Sequence, residues 1–204
     1  MKVLAEIPAR SASELRTGTL RRADLEAFNG LLRGLGAVRV VLMTGAGTGR
    51  REAAAGLAAA AAAAGTRTAL LECDLVEPAL ADALGLANAP GLHEHLRGGA
   101  EVGEILRPLV LAGPGSAGAT EPLVCVVAGR PSADGPRLLD SPAMAAAVDG
   151  LRAAYELVVI AGPPLGDARS LDALLGVADA TIACLDPAEP RDLPIAVTGL
   201  VIQG

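Results

Sequence analysis

Val38-Arg39-Val40-Val41-Leu42-Met43 followed by Thr44-Gly45-Ala46-Gly47-Thr48-Gly49 and then Arg50-Arg51 is the stretch on which the fold turns. The first six residues form an apolar, β-branched run that reads as a strand. A helix follows from about Arg50 to Ala64, stopped by Gly65 as a C-cap. Between them Gly45, Gly47 and Gly49 let the backbone curl tightly. A strand, a glycine turn and a helix start together direct backbone N–H groups and the positive helix end at one point, where an anion can sit. From this loop alone, a ligand-free strand-to-helix turn remains an equal reading.

Working outward, further apolar runs repeat the strand signal at Thr68 to Glu72, Leu123 to Ala128, Leu157 to Ile160, Ala180 to Leu185 and Val197 to Ile202. Helical segments separate them. Arg22 to Leu35 places Leu25, Phe28, Leu31, Leu32 and Leu35 on one face. Shorter helices are expected at Pro78 to Leu84, Gly91 to Leu96, Val102 to Leu106, Ser141 to Ala154 and Leu171 to Val177. Strands that are apolar on both faces and alternate with helices predict an α/β fold, a doubly wound parallel sheet with helices on both faces. Gly162-Pro163-Pro164 reads as a rigid turn, residues 112–120 as a low-complexity loop, and the polar stretch up to residue 20 as a loop after a short opening strand. The reading is one domain over 1–204, with 1–36 as an N-terminal strand, loop and helix and 37–204 as the core.

Composition excludes several classes of function. One Phe, one Tyr and no Trp leave little for base stacking, and a net charge of −6 disfavours nucleic acid and anionic lipid. Cys73, Cys125 and Cys184 are odd in number, widely spaced and set in apolar runs, so they read as buried thiols of a reduced compartment. The Met1 to Glu6 opening is too polar for a signal peptide, and the alanine run at Ala58 to Ala64 reads as a packed helix. Together these place the chain in the cytoplasm. His93-Glu94-His95 resembles a metal triplet, but alternate residues of a helix face different ways.

The loop departs from a working phosphate-binding pattern. G-x-x-x-x-G-K-[ST] supplies a lysine to the β/γ-phosphates and a hydroxyl to Mg²⁺. Here Gly49 is followed by Arg50, whose planar fork differs from a compact ammonium, and by Arg51, which cannot ligate a metal. Glu72 and Asp74 form an acidic pair after the next strand, as base, ligand or, the favoured reading, solvated or arginine-paired carboxylates bonded to Arg50. Asp167 and Arg169 stand in a later loop, where a solvated role suffices.

Taken together, these segments resemble the bacterial tyrosine kinases of capsule and exopolysaccharide synthesis (CpsD/CapB and the cytoplasmic domain of Wzc), relatives of the MinD/ParA P-loop ATPases. Glu26-Ala27-Phe28 with Leu31 is similar to that family's E-A-F-x-x-L helix. Leu70-Leu71-Glu72-Cys73-Asp74-Leu75 with Pro78 and Leu80 matches its second acidic motif. Gly85-Leu86, Pro90-Gly91-Leu92, Leu96-Arg97-Gly98-Gly99 and Glu104-Ile105-Leu106 follow in order. Ala128-Gly129-Arg130-Pro131, Leu138-Leu139-Asp140-Ser141-Pro142 and Tyr155 to Pro164 complete the set.

The departures are as specific as the matches. The loop is about one residue short, Glu72 replaces an Asp, and Ala161 stands where an Asp would hold Mg²⁺ through water. Asn29 and Leu32 replace two arginines of the oligomerisation helix, so self-association stays open, and the long helix after Asp186-Pro187 shrinks. Gln203 falls near the place of an adenine-reading Asn, and no tyrosine tail closes the chain. The resemblance implies a nucleotide loop of Gly45, Ala46, Gly47, Thr48, Gly49, Arg50 and Arg51 with Gln203, at which ATP or ADP binds weakly and Mg²⁺ is lost. It further implies a non-catalytic regulator of polysaccharide assembly whose partner is a Wzz-type co-polymerase. The Val3 to Pro8 segment is similar to the stretch after the last membrane helix of fused relatives, which places the chain at the inner face of the membrane through a partner or a preceding membrane segment. A divergent ATP-dependent tyrosine kinase and a MinD/ParA-like positioning ATPase are the alternatives.

Overall fold

A computed structural model of the chain describes residues 3–7, 22–47, 49–109, 123–189 and 192–203; for 22–24 and 203 it describes the backbone. Thr48, the Gln203 side chain, the stretch at 8–20 and the loop at 112–120 lie outside the described residues.

Among the described residues eight strands form one sheet. They are β1 (Val3–Ile7), β2 (Val40–Gly45), β3 (Thr68–Glu72), β4 (Leu106–Leu109), β5 (Leu123–Val126), β6 (Leu157–Pro164), β7 (Ala180–Leu185) and β8 (Gly199–Gln203). The order across the sheet is β1-β8-β7-β2-β6-β3-β5-β4. Every neighbouring pair is parallel except β4–β5, which is antiparallel. The helices are α1 (Arg22–Leu35), α2 (Gly49–Ala63), α3 (Leu80–Leu84), α4 (Leu92–Leu96), α5 (Val102–Ile105), α6 (Gly135–Leu139), α7 (Pro142–Ala154) and α8 (Ala168–Leu175).

Successive strand residues point to opposite faces, and both faces are apolar here. Val41 and Met43 of β2, Leu70 of β3 and Val159 of β6 join α1 and α2 in one core. Val40 and Leu42, Leu71, and Val158 and Ile160 join α4, α7 and α8 in the other. This is the doubly wound α/β arrangement expected from the uninterrupted apolar runs.

α2 shows how a nearly aromatic-free chain fills its core. Ala53 to Ala62 are all buried, so the helix lies against the sheet on one side and under α1 on the other. A helix that is apolar all round is a buried helix, and its methyl-sized side chains permit close approach. Gly56 makes the approach of α1 possible: a Cβ there would stand 2.4 Å from the Phe28 ring.

Three elements differ from the sequence expectation. β6 runs on through Gly162-Pro163-Pro164 instead of ending before a turn. Proline stops a strand when its N–H is needed, but its carbonyl remains an acceptor, and the Thr44 hydroxyl donates to the Pro163 carbonyl at 2.8 Å. Gly162 is required because a Cβ would lie 2.6 Å from the Leu42 side chain and 2.9 Å from the Met43 carbonyl. β4 adds an antiparallel edge strand, with Pro108 at the margin where a missing donor costs least. α6 was also unanticipated, and among the described residues no helix follows Asp186 before β8.

Candidate functional site

β2, β3 and β6 are neighbours, so parallel pairing brings their carboxyl ends together at one edge. That edge receives the glycine turn, the acidic pair and Ala161, three features far apart in sequence. Gly45 is held close to β7: a Cβ on it would lie 2.3 Å from the Cys184 carbonyl oxygen, so no other residue fits without movement.

Arg50, in the first turn of α2, folds back into the turn and is 4% exposed. Its Nε donates to the Gly162 carbonyl at 3.0 Å, its Nη1 to the Gly47 carbonyl, and its Nη2 to Asp74 Oδ2 at 2.7 Å. Burial, and then the neighbouring Arg51, lowers the Arg50 pKa, while Asp74 opposes the shift. Arg51 donates from Nη2 to the same Asp74 oxygen at 2.6 Å and to the Glu77 carbonyl at 2.6 Å. The other oxygen, Asp74 Oδ1, accepts from the Glu77 N–H at 3.0 Å. One carboxylate thus carries two guanidinium groups and closes the turn that leaves β3.

Glu72 does a different job from Asp74. Its Oε1 accepts from the Ala79 and Leu80 N–H groups at 2.8 and 2.7 Å, and its Oε2 from the Ala128 N–H at 3.1 Å. Burial raises its pKa, and the three backbone donors pull the other way. The expected pairing of the acids with Arg50 therefore involves Asp74, whereas Glu72 clamps the start of α3 and the end of β5 to the tip of β3.

The residues present do not fit a Mg²⁺ ion. Such an ion takes oxygen ligands, carboxylates and waters above all. Position 161 supplies a fully buried methyl group. Asp74 is committed to two arginines, Glu72 to three N–H groups, and the Thr44 hydroxyl to Pro163. The His93-Glu94-His95 triplet is likewise used internally: Glu94 accepts from Gly91 N at 2.8 Å and Arg130 N at 3.2 Å, and His95 Nδ1 meets the Ala100 carbonyl at 2.9 Å. Among the described residues no group of three or more His, Cys, Asp or Glu is placed to hold a metal. Asp167 caps α8 through the Ser170 N–H at 3.2 Å.

Gly162 and Glu77 are not among the sequence candidates, and Gly47 is one as a phosphate-cradling loop residue rather than through its carbonyl. Backbone acceptors carry no residue signature, and only the register of β2 against β6 brings Gly162 to Arg50. The three cysteines are buried thiols; burial pushes Cys184 up to about 12 and raises Cys73 and Cys125 as well. No helix of the described residues is long and apolar enough to cross a membrane.

No family model matches the chain, and no curated protein matches its sequence. Solved structures do match. The chimerical protein CapA2B2 superposes with a TM-score of 0.84 at 20% identity, over 100% of this chain and 94% of that one. The kinase domain of Escherichia coli tyrosine kinase ETK gives 0.78 at 16% identity, over 100% and 90%. The septum site-determining protein MinD of Pyrococcus horikoshii, complexed with Mg-ADP, gives 0.55 at 19% identity, over 73% of this chain and 58% of that one. Identities this low carry the architecture, and the chain has the α/β P-loop NTPase fold that these proteins share.

Proposed function

We propose that this chain is a non-catalytic, P-loop-derived regulator of exopolysaccharide or capsule assembly, acting through a Wzz-type chain-length protein at the inner face of the membrane. One observation carries the loss of catalysis: both arginines of the loop converge on Asp74 while position 161 is alanine. Phosphoryl transfer depends on positioning and on charge neutralisation by Mg²⁺ and a phosphate-bound cation. With Asp74 bonded to two arginines, Glu72 to three backbone N–H groups and position 161 apolar, neither acid of the expected pair is free for the ion. The polysaccharide context rests on the resemblance of the motifs and on the likeness to tyrosine kinase domains such as that of ETK. ATP or ADP binding, where it persists at Gly45 to Arg51, is weak and independent of Mg²⁺.

Calorimetric titration with ATP, with and without Mg²⁺, tests the catalytic half of this reading. The expected result is no Mg²⁺-dependent binding at all. Tight Mg²⁺-dependent binding with slow turnover would instead make the chain a divergent tyrosine kinase. Copurification with a Wzz-type protein from co-expressing cells tests the other half, and failure to associate in detergent would remove that partner.

A further inference from the structure

The described groups around the Arg50 head have the polarity of a cation site. Three acceptors surround the Arg50 head: the Gly47 carbonyl from the turn after β2, the Gly162 carbonyl from β6, and the Asp74 carboxylate from beyond β3. A phosphate needs donors on all sides, and an ionised carboxylate repels it. A guanidinium needs what is there, because it offers five N–H donors in a fixed planar fork and accepts nothing. Nε, Nη1 and Nη2 each have their own acceptor, on three separate segments of chain.

We infer that these three acceptors form a guanidinium receptor occupied by the chain's own Arg50, an internal occupant that latches the ends of β2, β3 and β6 together. The inference rests on the reading that no nucleotide is turned over at this site. A folded state normally gains stability from any ligand it binds and the unfolded chain does not. Here the occupant is covalently part of α2, so the site is held together without a diffusible one. Arg51 is the outer partner: it donates to the same Asp74 oxygen and ties down the turn through the Glu77 carbonyl.

The test uses the R50A variant of the full chain, with thermal unfolding followed by circular dichroism. Removing the head leaves a buried carboxylate short of a partner, so the melting temperature is expected to fall on the order of 10 °C. Ethylguanidinium chloride at millimolar concentration is expected to raise the melting temperature of R50A and leave the wild type unmoved. Ethylammonium chloride at the same concentration is expected to do neither. R50K is expected to recover less than half of the loss, since one ammonium cannot reach three separated acceptors. Should R50A fail to fold alone, recovery of its helical signal by ethylguanidinium but not ethylammonium is the supporting outcome. An equal response to both cations, a response to neither, or an R50K variant as stable as the wild type would overturn the receptor. Tighter inorganic pyrophosphate binding by R50A than by wild type would also overturn it, because donors would then line the loop. Mg²⁺-dependent ATP binding by the wild type would count against the proposed function alone, and absence of guanidinium rescue would count against the receptor alone.

Discussion

At the amino end of the sheet, Arg152 meets Asp179 at 3.0 Å with about a third of each side chain in water (34% and 35%). At the carboxyl end, Arg50 and Arg51 meet Asp74 at 2.7 and 2.6 Å, with exposures of 4%, 12% and 3%. The chemistry is the same and the solvent is not. Asp179 also accepts from the Arg39 and Val40 N–H groups at 2.9 and 2.8 Å, so it caps the starts of strands from the surface. Arg67 and Glu156, at 3.7 Å, are more exposed still. At the amino end each charge keeps water as an alternative partner, and the pairs trim stability. At the carboxyl end the partners are obligatory, because a buried charge left alone bears its full desolvation penalty.

Breaking the buried cluster should therefore have the largest effect. D74A leaves two guanidinium groups without their carboxylate, and a loss of about 3–5 kcal/mol in urea unfolding is expected. A loss below about 1 kcal/mol would mean that water already reaches the cluster, and the contrast between the two ends would collapse. E72Q comes next. It sets an amide NH₂ against one of three backbone N–H donors, a mismatch that should cost about 1–3 kcal/mol.

Acidity sharpens the contrast, because the two ends titrate with opposite sign. Burial raises the Glu72 pKa above its unfolded value. Its contribution is thus fully present below the unfolded pKa and is lost as pH rises through the folded one. For Asp179, burial alone would raise the pKa, but the Arg39 and Val40 N–H groups and Arg152 outweigh it and hold the pKa below the usual carboxylate value. That contribution is present above the unfolded pKa and is lost as pH falls through the lowered one. D179N is expected to cost about 1 kcal/mol near neutrality, and the cost should fade in urea melts below about pH 4. Flat pH dependence of the D179N difference would remove Asp179 from the acid limb. R67A should have the smallest effect, within about 0.5 kcal/mol and smaller in high salt.

How much of this was legible in the sequence depended on burial. β3 and β7 coincide with their predicted ranges, and α1 does too, because strands buried on both faces leave uninterrupted apolar runs and a one-sided helix leaves a periodic one. β4 went unseen because Leu106-Arg107-Pro108-Leu109 lies half-buried at an edge and carries a proline. The run of β6 through two prolines was misread as a turn, since their role depends on what the neighbouring strand asks of them. Within the site, the charged residues stood out against apolar strands, and the pairing of Arg50 with an acid of the Glu72/Asp74 pair followed from charge alone. The division of labour between those acids did not. It depends on which backbone N–H groups the start of α3 and the end of β5 deliver to Glu72. The sequence marks Arg51 as a nucleotide-loop residue that cannot ligate a metal, and its bond to the Glu77 carbonyl has no residue type to announce it.

The pairing of β1 with β8 sets a timetable for synthesis. β1 is the first described strand to leave the ribosome, and its neighbour in the sheet is the last, with Val3 beside Leu200 and Ile7 beside Gln203. Until β8 emerges, β1 has no strand to pair with, while β2, β3, β5, β6 and β7 already have theirs. Parallel pairing between distant segments is slow, and unpaired strand edges invite association with other chains. Between the synthesis of β1 and that of β8 the nascent chain therefore carries an unpaired strand, and the sheet is finished at that margin only when β8 is released.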